Sequence, residues 1–190
     1  VRTSFLPFAR PSIGESEIYE VVETLRSGWL TVGPRTREFE RVLAKYVGVD
    51  DAAAVNSCTG GLHLSMIILG VSSGDEVIIP TLNFASAANH IVHLGARPVL
   101  VDIDPATLNV STELIEKAMT PRTKLVIPVH FAGRPCPMEE ILSLAHSRGV
   151  KVLGDAAHAI GADSEGRKIG SMADATAFSF YVTKGITTGE

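Results

Sequence analysis

Cysteine is scarce in this chain, and so are aromatic rings, long apolar runs and clustered positive charge. The two cysteines, Cys58 and Cys136, are too few for a disulfide framework and suit a reducing compartment, so the cytoplasm is the expected location. The most apolar runs, Leu64–Leu69 and Leu125–Val129, are too short to cross a bilayer, and no membrane partner is expected. Val1–Pro7 lacks the continuous apolar segment of a secretory leader, so none is expected. A net charge of -4 with no basic cluster leaves little to neutralise phosphates, which argues against nucleic acid as a partner. Neither G-x-G-x-x-G nor the Gly-Lys-Ser/Thr of a P-loop occurs, which counts against dinucleotide and nucleoside triphosphate binding. Internal repeats, low-complexity tracts and obvious linkers are missing too.

What is present is a globular composition: 190 residues, 45% apolar and 20% charged, enough for one sizeable domain with a core or one domain plus an appended piece. Apolar residues recur at helical spacing over 15–27 (Ile18, Val21, Val22, Leu25) and 35–47 (Phe39, Val42, Leu43, Tyr46). Gly28 and Gly48 follow where a left-handed cap is wanted, and Pro34 opens the second helix where no backbone donor is needed. The loop between them carries the only tryptophan, Trp29, expected as a plug beneath the loop. Residues 1–50 thus form an N-terminal helical segment, and 51–190 a second domain.

From residue 52 onward short apolar strands alternate with helices. Strands are expected at Ala53–Asn56, Glu76–Pro80, Pro98–Asp102, Lys124–His130, Lys151–Asp155 and Asp174–Phe180, and helices near 60–69, 84–94, 112–119 and 137–148. Such alternation predicts an α/β fold, a mostly parallel sheet with helices on both faces. Ligands in such folds bind beyond the carboxyl ends of the strands. Standing there are Asn56–Gly60, Thr81, Asn83, Phe84, Asp155, His158, Ser179 and Lys184.

Several of these groups carry chemistry. Asn56–Gly61 leads into a helix whose N-terminal amides and positive dipole end suit an anion such as a phosphate, although Ser or Thr before Gly also serves as a plain cap. Asp155 ends an apolar strand, where a buried acid needs a cation such as a protonated pyridine nitrogen. His158, three residues on, would reach the same side if the segment turns helically; an acid capping a helix beside a satisfied histidine is the alternative, and a metal pair lacks a third ligand. Phe84 offers a ring to a flat ligand or to the core. His90 and His93 read as packing or surface residues, and Asp102 and Asp104 as a strand-end turn. Lys184, where the last strand opens into a loop, is a candidate Schiff-base nucleophile if partly desolvated, and otherwise a surface lysine.

Together, Asn56–His63, Gly74–Pro80, Pro128–Gly133, Gly154–Ala159 and Ala177–Lys184 resemble the DegT/DnrJ/EryC1/StrS family of sugar aminotransferases, from about Phe8 to Glu190. The resemblance implies the large domain of a fold type I enzyme, an αβα sandwich that binds pyridoxal 5′-phosphate (PLP). It implies that Lys184 carries the cofactor as a Schiff base, that Asp155 pairs with its pyridine nitrogen, that His158 approaches the ring hydroxyl and that Phe84 stacks on the ring. Thr59 and Gly60, with Ser179, would take the phosphate. Some relatives are dehydratases with histidine in place of the lysine, and Lys184 speaks against that branch. Family members continue into a smaller C-terminal domain, so the sequence is expected to be the front of a longer protein, inactive by itself, acting as a homodimer with a shared active site. The implied reaction moves an amino group from an amino acid, glutamate, to a nucleotide-linked keto sugar in amino-sugar, polysaccharide or antibiotic-sugar biosynthesis. Another fold type I activity (a lyase or amino-acid aminotransferase) and a non-catalytic cofactor-binding scaffold are the alternatives. No arginine stands at the carboxyl end of a strand to clamp a small carboxylate, Arg134 coming nearest, whereas the uncharged Gly28–Gly33 loop suits a sugar ring.

Overall fold

A computed structural model describes residues 4–7 and 9–188 of the chain. Phe8 and Glu190, the ends of the resemblance, and the first three residues of the Val1–Pro7 stretch lie outside the described residues. The chain forms two compact units, Val1–Ala54 with Phe180–Glu190, and Val55–Ser179.

In the first unit, α1 (Glu15–Arg26) starts where the Glu17 carboxylate accepts the Gly14 N–H at 2.7 Å, and α2 (Pro34–Val47) has Pro34 in its first turn. Gly28 (φ 70°) and Gly48 (φ 86°) are left-handed as the sequence predicts. Arg35 and Glu20 form an ion pair at 2.6 Å, and Phe39 meets Phe180 edge to face with centroids 5.0 Å apart. Two expectations are corrected here. Ala53–Asn56 is not a strand: its alanines have weak strand preference, and the Ala54 N–H is given to the Glu40 carboxylate (2.8 Å) instead of a sheet partner. Trp29 is not a buried plug. It is 55% exposed, and its indole N–H donates to the Val32 carbonyl at 2.8 Å, folding the ring over Gly33. A polar N–H on a large ring favours such a half-wet position.

The second unit is the α/β layer. In chain order it contains α3 (Cys58–Ile68), β1 (Glu76–Pro80), α4 (Ser86–His93), β2 (Arg97–Val101), α5 (Thr112–Ala118), β3 (Thr123–Val126), α6 (Met138–Ser147), β4 (Lys151–Ala156), β5 (Asp163–Ser164), β6 (Arg167–Lys168) and β7 (Ala175–Phe178). The main sheet runs β2-β1-β3-β4-β7, with every pair parallel. Side-chain alternation splits the strands between two cores. Val77, Ile79, Leu125 and Leu153 face α3 and α4 with Leu62, Met66 and Ile91, while Ile78, Val126 and Val152 join Ile115, Ile141 and Ala145 of α5 and α6. Both faces are therefore covered, as the near-continuous apolar strands require.

The strand expected at Lys124–His130 stops at Val126 because Pro128 has no N–H to continue the ladder. The chain still follows β4: Asp155 N–H donates to the Pro128 carbonyl (2.9 Å) and His130 N–H to the Asp155 carbonyl (3.0 Å). The small hairpin of β5 and β6 was not legible in the sequence; its two-residue turn places Glu165 (φ 53°) and Gly166 (φ 76°) in left-handed backbone. At the start of the sheet the fully buried Glu76 accepts from Arg97, Arg122 and Thr120, which hold its carboxyl down at about 2 through those hydrogen bonds.

Candidate active site

The first turn of α3 fixes one side of the site. Ser57 caps the helix, its hydroxyl accepting from the Gly60 N–H at 3.0 Å and its carbonyl from the Gly61 N–H at 2.9 Å. Gly60 has no room for a side chain, since a Cβ there would lie 2.7 Å from Asn56 Oδ1, and Gly61 stands over Ala177 of β7, where a Cβ would lie 3.7 Å from that of the alanine. Thr59 donates its hydroxyl to Ser86 Oγ (3.3 Å) and so ties the start of α3 to the start of α4, two residues past Phe84.

Ala177 is the register partner of Asp155 in the parallel β4–β7 pair. Register partners project to the same face, and Leu153, two residues before Asp155, packs on the α3 and α4 side. Asp155 and the N-terminal turn of α3 therefore share one face of the sheet at its carboxyl end, and alternation carries Ser179 to the same face beyond β7. Asp155 is only 4% exposed, and its carboxylate accepts the Ala157 N–H at 3.1 Å. Ser179 is buried as well. Phe84, expected to start a helix, instead precedes it, and at 76% exposure its ring is not core.

His158 does not follow Asp155 around a helix. It sits in a turn closed by the Ala159 N–H to the Ala156 carbonyl (2.9 Å), exposed, with its Nδ1 accepting the Ala132 N–H at 3.3 Å and its ring edge-on to Phe131. Lys184 belongs to the first unit, half-buried in a turn closed by its own N–H to the Tyr181 carbonyl at 2.9 Å. The second unit thus brings Thr59, Gly60, Asp155 and Ser179 to one face at the strand ends, with Phe84 and His158 on the loops there.

Two buried groups near Asp155 went unassigned in the sequence. His130 is buried, which pushes its imidazole down to about 4, and its Nδ1 accepts the Cys136 N–H at 3.1 Å. Burial, with the nearby Asp155 charge, pushes the Cys136 thiol up to about 12. Asn109 is 3% exposed and grips the chain on both sides of Phe131–Gly133. Its sequence setting, a polar loop after Asp102, reads as ordinary turn chemistry and gave no signal. His63, His90 and His93 form a ring cluster, with His63 and His90 stacked at 4.4 Å and 6°, and no group of three or more metal-ligating side chains suited to a metal ion exists among the described residues. No helix among the described residues is long and apolar enough to cross a membrane.

The donor set fits PLP on its own chemistry. A buried carboxylate suits a protonated pyridine nitrogen, a helix N-terminus with a threonine hydroxyl suits a phosphate, and an exposed phenyl ring suits a flat heterocycle.

The sequence pattern of the DegT/DnrJ/EryC1/StrS aminotransferase family matches residues 11–190. The spore coat polysaccharide biosynthesis protein SpsC of Bacillus subtilis is 53% identical over 189 residues, covering 100% of this chain and 49% of that protein. The solved PLP form of Spr1654 from Streptococcus pneumoniae superposes with a TM-score of 0.93 at 39% identity, over 97% of this chain and 51% of that one. Helicobacter pylori PseC, an aminotransferase involved in the biosynthesis of pseudoaminic acid, gives 0.93 at 31% identity over 97% of this chain and 50% of its own. The chain spans about half the length of the curated relatives it matches.

Proposed function

The chain belongs to the DegT/DnrJ/EryC1/StrS aminotransferase family, whose members use PLP on a fold type I scaffold, and from that premise we propose that it serves transfer of an amino group from glutamate to a nucleotide-linked keto sugar. The observation that carries the reading is Asp155, a buried carboxylate in register with Ala177, against which the N-terminal turn of α3 packs. We place the cofactor-binding domain at 51–190 after an N-terminal helical segment at 1–50, and the working form is a cytoplasmic homodimer with a shared active site.

PLP, when bound, supplies an electron sink for the carbon that exchanges its amine. Asp155 holds the ring nitrogen protonated, a charge that its burial makes worth more than it would be in water. Thr59 and Gly60 at the dipole end of α3, with Ser179, take the phosphate, and Phe84 covers one face of the ring. His158 meets an oxygen on the ring. Lys184 holds the cofactor covalently and moves the proton at the reacting carbon, an assignment that rests on the family motif. The part of SpsC in spore coat polysaccharide biosynthesis and of PseC in pseudoaminic acid biosynthesis favours a sugar acceptor, and the uncharged Trp29 loop is compatible with one.

The test begins with the full-length protein converted by glutamate to the amino form of its cofactor. It is then mixed with nucleotide-linked 3-keto and 4-keto hexoses and, separately, with simple 2-keto acids. Return of the visible absorption with a keto sugar is expected. Return only with 2-keto acids unrelated to glutamate makes this an amino-acid aminotransferase.

A further inference from the structure

We infer that Asn109 is a positioning residue which, through the turn Phe131–Gly133, fixes His158 as the tautomer with its proton on Nε2. The inference rests on the reading of His158 as a contact to the cofactor ring and adds which group His158 presents.

The turn is held in an unusual backbone. Ala132 has φ 52° and ψ 26°, a left-handed conformation that a residue with a Cβ adopts only when its surroundings over-determine it. The surroundings here are the turn's own backbone bonds, from the Phe131 N–H to the Val129 carbonyl (2.9 Å) and from the Gly133 N–H to the His130 carbonyl (3.1 Å), with Asn109 gripping across them. Its Oδ1 accepts the Phe131 N–H at 3.1 Å, and its Nδ2 donates to the carbonyls of Arg134 (3.0 Å) and Pro135 (3.1 Å). One buried amide therefore spans the turn from both ends, and its orientation is set because the Arg134 and Pro135 carbonyls take only donors, which leaves Oδ1 for the Phe131 N–H that the Val129 carbonyl shares. Gly133 adds a steric condition: with φ 82°, a Cβ on it would lie 3.1 Å from the His158 carbonyl. The turn and the His158 backbone are thus packed to contact.

This clamp aims the Ala132 N–H at His158 Nδ1 (3.3 Å), while the Phe131 ring stands edge-on at 5.9 Å and limits rotation of the imidazole. A ring nitrogen that accepts an N–H carries no proton of its own, so the neutral imidazole has its hydrogen on Nε2. His158 then offers a donor to an oxygen of the cofactor ring. An imidazole free to exchange tautomers would offer a donor only part of the time. A backbone amide performs this task without adding a titrating group, unlike the carboxylates that orient many histidines.

The tautomer is read by long-range proton–nitrogen correlation on the cofactor-free full-length protein with labelled histidine, at about pH 9, where imidazoles are neutral. His158→Gln identifies the relevant signals by their disappearance. The expected wild-type pattern is protonated Nε2 with unprotonated Nδ1. Asn109→Ala should move both nitrogens toward the averaged pattern of exchanging tautomers, and Gly133→Ala, which pushes the turn away from His158 while keeping Asn109, should do the same and carries the test if the first variant does not fold. Ala132→Gly keeps the N–H and relieves the strain, and should retain the wild-type pattern. A proton on Nδ1 in the wild type, or an unchanged pattern in both Asn109→Ala and Gly133→Ala, overturns the inference. Because neither cofactor nor substrate is present, this outcome is separate from that of the keto-sugar test.

Discussion

Asp155 shows how much one carboxylate depends on its address. At the end of β4, with 4% exposure and a hydrogen bond from Ala157, its charge acts at a lower dielectric than it would in water. Asp155→Asn keeps the shape and removes the charge. In that variant PLP should still bind, and borohydride reduction followed by peptide mapping should still place the pyridoxyl mass on Lys184, while turnover falls about a hundred-fold or more, the scale of removing one preorganised electrostatic group. Near-normal turnover makes Asp155 a structural residue, and a label on Lys151 or Lys168 overturns the assignment of Lys184.

At the scale of an element, the loop between α1 and α2 is shaped by contact between its tryptophan and a glycine. A Cβ on Gly33 would lie 2.1 Å from Trp29 Cδ1 and Nε1, so Gly33 is required for the indole to lie down and reach the Val32 carbonyl. The backbone of Gly33 is extended, so the demand is one of space and not of conformation. Gly33→Ala should expel the ring and break that hydrogen bond. Trp29 is the only tryptophan, so its emission should shift toward that of fully hydrated indole. An unchanged emission spectrum means the ring is held by something other than this contact.

For the molecule as a whole, two buried groups set the acid side of stability. His130 has its folded value lowered from 6.5 to about 4 by burial, so the unfolded chain takes up its proton first and stability declines as pH falls from 6.5 toward 4. Glu76 has its folded value lowered from 4.5 to about 2 by hydrogen bonds from Arg97, Thr120 and Arg122, so its contribution is complete above 4.5 and is lost as pH falls toward 2. Urea midpoints measured down a pH series should therefore fall in two overlapping stages. Glu76→Gln should flatten the lower stage and leave the upper one. A wild-type midpoint that is level from pH 6.5 to 4 contradicts the burial of a neutral His130.

The sequence by itself determined the helices at α1 and α2, most strands of the sheet and the parallel αβα layering, because apolar period, glycine caps and strand–helix alternation are local signals. It also named the strand-end groups, since a family motif and the position of Asp155, Ser179 and Thr59 on their elements can be read along the chain. It could not exclude Ala53–Asn56 as a strand, because strand formation is decided by a partner, and Glu40 supplied a different one for the Ala54 amide. It could not extract Asn109 from a polar loop, because that residue acts on carbonyls and amides more than twenty positions away. Only the tertiary structure put Asp155 and the first turn of α3 on one face of the sheet, since that neighbourhood comes from the β4–β7 register and from the packing of α3 over Ala177. Contacts between distant segments depend on how faces pack, and a linear pattern of residue types records which faces are apolar without recording what each one meets.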